Sequence, residues 1–152
     1  MRLPLLPLLT VIASLALAAC HGGTTISGPY TLTFHRTGGL LGLQETIVID
    51  SAARTIVRSY ATASSPTPVV QPATLTDADV ATVTAAVEAA DLEHAGGPYA
   101  CKACSDTMSY EAALVVGGAT YDALWTDDSD ASLEALGSTL GVLDENKFPS
   151  GP

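Results

Sequence analysis

The sequence predicts an α+β fold, a two-layer sandwich in which a mostly antiparallel sheet of about five strands carries two helices on one face. Three observations carry this. Several runs alternate apolar and polar residues with a period of two, as Tyr30, Leu32 and Phe34 do against Thr31, Thr33 and His35. Such runs are joined by short turn-forming segments, most plainly Gly117-Gly118, and a hairpin makes its strands antiparallel neighbours. Two later segments instead repeat their apolar residues at helical spacing. The order is β-β-β-α-β-β-α, with no internal repeat.

Residues 1–19 stand outside the fold. Arg2 precedes an apolar run from Leu3 to Ala19, broken by Pro4 and Pro7 and closing on small residues. That is the pattern of a secretory signal peptide, and the run is too compact for a stable membrane span. Leu17-Ala18-Ala19-Cys20 resembles the lipobox of bacterial lipoproteins. The resemblance implies cleavage before Cys20, a diacylglyceryl group on its sulfur and acylation, as with palmitate, of the new amino terminus. Several acyl chains give stable anchoring where one alone binds only marginally. The bland alternative is a plain signal peptide with a coincidental cysteine. An anchored protein of this kind works in the cell envelope. His21, in place of the aspartate that retains many lipoproteins at the inner membrane, favours the outer membrane in a Gram-negative host.

The remaining chain divides into a lipidated tether over 20–28, a single domain over 29–146 and a C-terminal tail over 147–152. The tether is short, polar and glycine-containing, and it need not be ordered. After the first strand, Arg36-Thr37-Gly38-Gly39-Leu40-Leu41-Gly42 breaks the alternation. Residues 44–50 and 54–60 read as two strands around a turn at Asp50-Ser51-Ala52-Ala53. Residues 61–74 hold Pro66, Pro68 and Pro72 among Ser, Thr and Ala, which predicts an extended surface loop with no packed structure.

A helix follows. Thr76 and Asp79 form a capping-box pattern, with Leu75 and Val80 at the positions of a hydrophobic staple. Val80, Val83, Val87 and Ala90 share one face, and Gly96-Gly97-Pro98 stops any continuation. Two strands, 107–116 and 119–126, flank Gly117-Gly118. A last helix over 130–143 puts Leu133, Leu136, Leu140 and Leu143 on one face, weakened by Gly137 and Gly141. The spacing of those glycines also occurs in membrane helix pairs, but the polar flanks favour a helix that covers a sheet.

The formal charge is −10, from 6 basic and 16 acidic residues, a poor field for nucleic acid and a favourable one for cationic partners. Of 3 cysteines, lipidation of Cys20 would leave Cys101 and Cys104 as a pair. Outside the cytoplasm that pair is expected as a disulfide. Redox activity and half a metal site are the alternatives. Catalytic Cys-x-x-Cys motifs open a helix where here a strand follows, and zinc would need two further ligands, with only His94 and Asp106 near in sequence.

No catalytic residue, metal site or cofactor is expected. His21, His35 and His94 are isolated, and there is no Gly-x-Ser-x-Gly. Asp127, Asp128 and Asp130 lack a calcium-loop pattern and are expected to cap the last helix. Trp125 reads as core packing, with a binding anchor as the minority reading.

The strand, the Arg36–Gly42 loop, then strands, helix, hairpin and helix resemble the emfourin-like family of small bacterial proteins, some of which inhibit thermolysin-like metallopeptidases. The resemblance spans roughly residues 30–143. Its sharpest element is Arg-(Ser/Thr)-Gly-Gly-x-x-Gly, with Leu40 where the family has an aromatic residue. It implies a non-enzymatic binding module and a partner-binding set of Arg36, Gly38, Gly39, Leu40, Leu41 and Gly42. Physically, the glycines permit a tight loop that either merely connects two strands or presents Leu40 or Leu41 to a partner's pocket with Arg36 at the rim. The alternative function is a structural or assembly lipoprotein whose acidic face or Trp125 edge meets another envelope component.

Overall fold

A computed structural model describes residues 24–95, 107–127 and 130–149. Its elements are β1 (Tyr30–Gly38), β2 (Leu43–Asp50), β3 (Thr55–Thr62), β4 (Ser65–Thr74), α1 (Asp77–Ala90), β5 (Met108–Val116), β6 (Ala119–Thr126) and α2 (Ala131–Lys147). The strands form one open antiparallel sheet in the order β4-β3-β2-β1-β5-β6, so β1 lies between β2 and β5. The α1 segment carries the chain from the β4 edge back to the middle of the sheet.

Alternation decides which side of each strand is buried. Leu32 and Phe34 of β1, Ile47 and Ile49 of β2, Ile56 of β3, Ala112 and Leu114 of β5 and Ala123 and Trp125 of β6 face one core. Val83 and Val87 of α1 and Leu133, Leu136 and Leu140 of α2 complete it, all without solvent exposure. The opposite face, with Thr33, His35, Thr46 and Ser59, is half-buried and polar. The α+β sandwich expected from the sequence is therefore present, with both helices packed on one side of the sheet.

The sheet has six strands rather than about five, because 65–74 is a strand and not a loop. Pro72 stands opposite Val57 and Gln71 opposite Arg58, with an irregularity between Tyr60 and Thr62. Proline cannot donate to a ladder, but an edge strand has one side that needs no donors. Pro72 can turn the side lacking an N–H away from β3, while Pro66 and Pro68 fall in the irregular stretch between the paired residues Ser65 and Val69. Prolines on an edge also oppose pairing with another chain.

Both helices begin as the sequence indicates. Thr76 and Asp79 make the reciprocal capping box of α1, and Asp130 caps α2 by accepting from the backbone N–H groups of Ser132 and Leu133. A bond from the Ser132 hydroxyl, with those from the two N–H groups, holds the Asp130 carboxyl below its ordinary pKa. However, α2 runs past 143 to Lys147, and Phe148 is buried, so the expected tail begins inside the domain.

Residues 24–26, within the stretch expected as a tether, are fastened to the end of α1. Asp91, in the left-handed conformation at the C-cap, accepts from the Thr24 N–H (3.1 Å) and hydroxyl (3.3 Å). The Thr24 hydroxyl also accepts from Glu93 N–H (3.1 Å), and Glu88 accepts from Ile26 N–H (3.1 Å). His94 Nδ1 lies 2.9 Å from the same Asp91 carboxylate, which lowers the pKa of Asp91 and raises that of His94.

Candidate functional site

The end of the sheet where β1 turns into β2 holds the glycine turn singled out by the sequence pattern. Gly38 has φ +123°, and a Cβ there would stand 2.5 Å from the Thr107 carbonyl oxygen, so no side chain fits. Gly39 and Gly42 have φ of +69° and +57°, the region that favours glycine. Gly42 N–H donates to Gly39 O (3.0 Å), closing a four-residue turn with Leu40 and Leu41 at its centre. Ala63 N–H donates to Leu41 O (3.0 Å), which braces the turn against the β3–β4 connection. Leu40 is 90% exposed and Leu41 72%. The leucines do not fold back onto the core.

Arg36 turns towards Glu45. It shares the core-facing side of β1 with Leu32 and Phe34, and its guanidinium meets Glu45 Oε2 at 2.6 Å. The pair sit opposite each other in the β1–β2 register. Arg58 of β3 reaches Glu45 Oε1 at 3.1 Å and Asp144 of α2 at 3.4 Å, and its guanidinium also lies over the Tyr60 ring at 4.4 Å. Two guanidiniums and two carboxylates thus balance within the core, with Glu45 3% and Asp144 5% exposed. Burial, reinforced by repulsion from Glu45, raises the Asp144 pKa against the opposing pull of Arg58 and Arg36. Removing the Glu45 carboxylate, which faces both guanidiniums, would leave buried positive charge uncompensated, and that is strongly destabilising.

Arg36 also lines a cleft of about 540 Å³ between the sheet and α2. Tyr110 and Trp125, stacked with centroids 5.5 Å apart, lie on the sheet side. Gly137 and Gly141 lie on the helix side, one turn apart. Tyr110 donates to Asp127 Oδ1 (2.7 Å), and desolvation, then that bond, push its phenol up to about 12. Asp127 Oδ2 accepts from the backbone N–H of Met108 (3.1 Å), joining the ends of the β5–β6 hairpin. Asp127 therefore serves the hairpin rather than the cap of α2.

Of the other residues singled out from the sequence, His35 meets the Thr46 hydroxyl (2.8 Å) on the open face of the sheet. Trp125 has no exposure and packs against Phe34, which removes it as a surface anchor. Cys20, Cys101, Cys104, Asp106 and Asp128 lie outside the described residues. Among the described residues no group of three His, Cys, Asp or Glu side chains is placed to hold a metal ion, and no helix is long and apolar enough to cross a membrane.

Sequence reading missed Glu45, Arg58 and Asp144. The signal was present: Glu45 continues the parity of Ile47 and Ile49, and Arg58 that of Ile56, so charged residues occupy core-facing positions on three neighbouring strands. No protein-family model matches the chain, and no curated protein matches it.

Proposed function

We propose that the domain is a non-enzymatic binding module that presents Leu40 and Leu41 to an apolar pocket of a protein partner, and that it is held in the cell envelope by lipid on Cys20. One observation carries the reading: two large apolar side chains, almost fully in solvent, on a turn whose backbone is fixed by glycine angles and by hydrogen bonds at both ends. Exposed leucines gain nothing for the fold, whereas a preorganised apolar tip lowers the ordering cost of docking. At the base of the turn Arg36 of β1 pairs with Glu45 of β2.

The resemblance of the Arg36–Gly42 loop to the emfourin-like signature supports a thermolysin-like metallopeptidase as the partner class. The lipobox supports an envelope location. A soluble form beginning after Cys20 should slow a thermolysin-like peptidase at micromolar concentration, and a Leu40→Ser/Leu41→Ser variant should not. A correctly folded soluble form that fails against a panel of such enzymes would remove the peptidase assignment.

A further inference from the structure

Leu40 and Leu41 flank a peptide bond that stands in solvent, and exposed loop tips are preferred sites of proteolytic nicking. The turn that carries this bond has the wrong backbone for cleavage. A peptidase groove takes its substrate extended, as an added strand that pairs through main-chain groups. Here Gly42 N–H donates to Gly39 O, and neither leucine has a positive φ, which together make a type I turn. The central residues of such a turn lie near the helical region, far from the strand ψ of about +135°.

The main-chain acceptors on both sides of the bond are also engaged. Gly39 O holds Gly42 N–H and Leu41 O holds Ala63 N–H, each at 3.0 Å. Neither oxygen can turn towards a groove without breaking its bond. The hairpin tip that supplies Ala63 is itself fastened, since Thr62 Oγ1 lies 3.1 Å from Ser64 Oγ and accepts from Ser65 N–H (3.1 Å). A Cβ at Gly42 would stand 3.2 Å from the Ala63 Cβ, so glycine at 42 lets the two turns close on each other.

On the reading that a peptidase pocket takes the leucine tip, we propose that the protein docks there without becoming a substrate, because the turn, braced by Ala63 N–H, withholds the Leu40–Leu41 bond from hydrolysis. Hydrolysis adds water to the Leu40 carbonyl carbon and breaks its bond to the Leu41 nitrogen, leaving a carboxylate on one leucine and an amine on the other. A reacting atom misplaced by about 1 Å can cost about a hundredfold in rate. Ala63 is thus a positioning residue, acting through the Leu41 carbonyl.

Thermolysin serves as the probe, with two readouts: the rate at which it cuts a fluorogenic peptide, and the appearance by mass spectrometry of a fragment beginning at Leu41. The unaltered soluble form should slow the peptidase durably and yield no such fragment. Two glycines inserted after Leu41 keep both leucines but open the turn, and a loop tip tolerates such an insertion. That form, shown to be folded by its circular dichroism and melt, should release the Leu41 fragment faster by about tenfold or more, as expected for loss of the two hydrogen bonds. Its slowing of the peptidase should fade as it is cut. Ala63→Pro, which removes the N–H donor, should shift both readouts in the same direction. Release of the fragment from the unaltered protein as fast as from the inserted form, or its absence from both folded variants, would overturn the proposal. Cleavage confined to the variants, without any slowing by the unaltered protein, would instead sink the peptidase reading and uphold the protection of the bond by the turn.

Discussion

Lys147, in the last turn of α2, donates to Asp79, in the first turn of α1, with Nζ 2.6 Å from Oδ2. Each charge also complements the dipole of its own helix, negative at an N-terminus and positive at a C-terminus. Asp79 meanwhile accepts from the N–H and hydroxyl of Thr76. One carboxylate therefore joins a helix cap to the contact between the helices. Lys147 first, and then Thr76, lower its pKa from 3.8 to about 2.

The folded-state value lies below the unfolded one, so the stabilisation is fully present above about pH 4 and is lost as the pH falls towards about 2. Asp79→Ala should cost about 1 kcal/mol at neutral pH, a typical value for a lost cap. Urea titrations at pH 7 and pH 2.5 should show the difference between variant and unaltered protein shrinking in acid.

Glu45 and Asp144 should behave oppositely when neutralised. Glu45 faces both Arg36 and Arg58, so Glu45→Gln removes the shared counter-charge and should cost about 3 kcal/mol. Asp144 has a raised pKa because burial and Glu45 outweigh the guanidinium at 3.4 Å. A carboxyl raised in the folded state loses stability as pH climbs from the unfolded value through the folded one. Asp144→Asn should therefore leave neutral-pH stability unchanged or increased, and chemical denaturation of the two variants side by side checks the contrast.

Gly38→Ala should destabilise by about 2 kcal/mol, since it combines an unfavourable positive φ with a Cβ driven against the Thr107 carbonyl. Gly117→Ala at the tip of the β5–β6 hairpin, also at positive φ but with open space around its Cβ, should cost less. Thermal melts of the pair separate backbone strain from steric conflict.

Replacing Leu40 and Leu41 by serine should change folding stability by less than about 0.5 kcal/mol, as expected for exposed positions. A large loss in a melt would mean that the leucines pack in solution and would weaken the case for a presented tip.

Much of the fold was legible because the signals were local. The alternation in Tyr30–Phe34, the glycine pair at 117 and 118 and the Thr76–Asp79 spacing each specify an element without knowledge of the rest. The fourth strand was not legible, because whether Pro66, Pro68 and Pro72 end a strand or decorate an edge depends on where that strand lies in the sheet. The leucine turn was visible as a glycine pattern, but its two outcomes, buried or presented, differ only in tertiary contacts. The position of Arg36 shows the same limit. Its parity with Phe34 pointed towards the core, yet an arginine at a strand end reads as surface until Glu45, Arg58 and Asp144 are seen to meet it.

An anchor on Cys20 would be limited in reach by the attachment of Thr24 to Asp91. With lipid on Cys20, four residues of leash span at most about 14 Å, because the chain is docked again by Thr24. The first strand then runs from Tyr30 to the leucine turn, about 27 Å at strand rise. With at most about 21 Å more between Thr24 and Tyr30, a partner's pocket would have to come within roughly 60 Å of the bilayer surface to be engaged. The clasp would act as a ruler, restricting the protein to targets that share its membrane or work close against it.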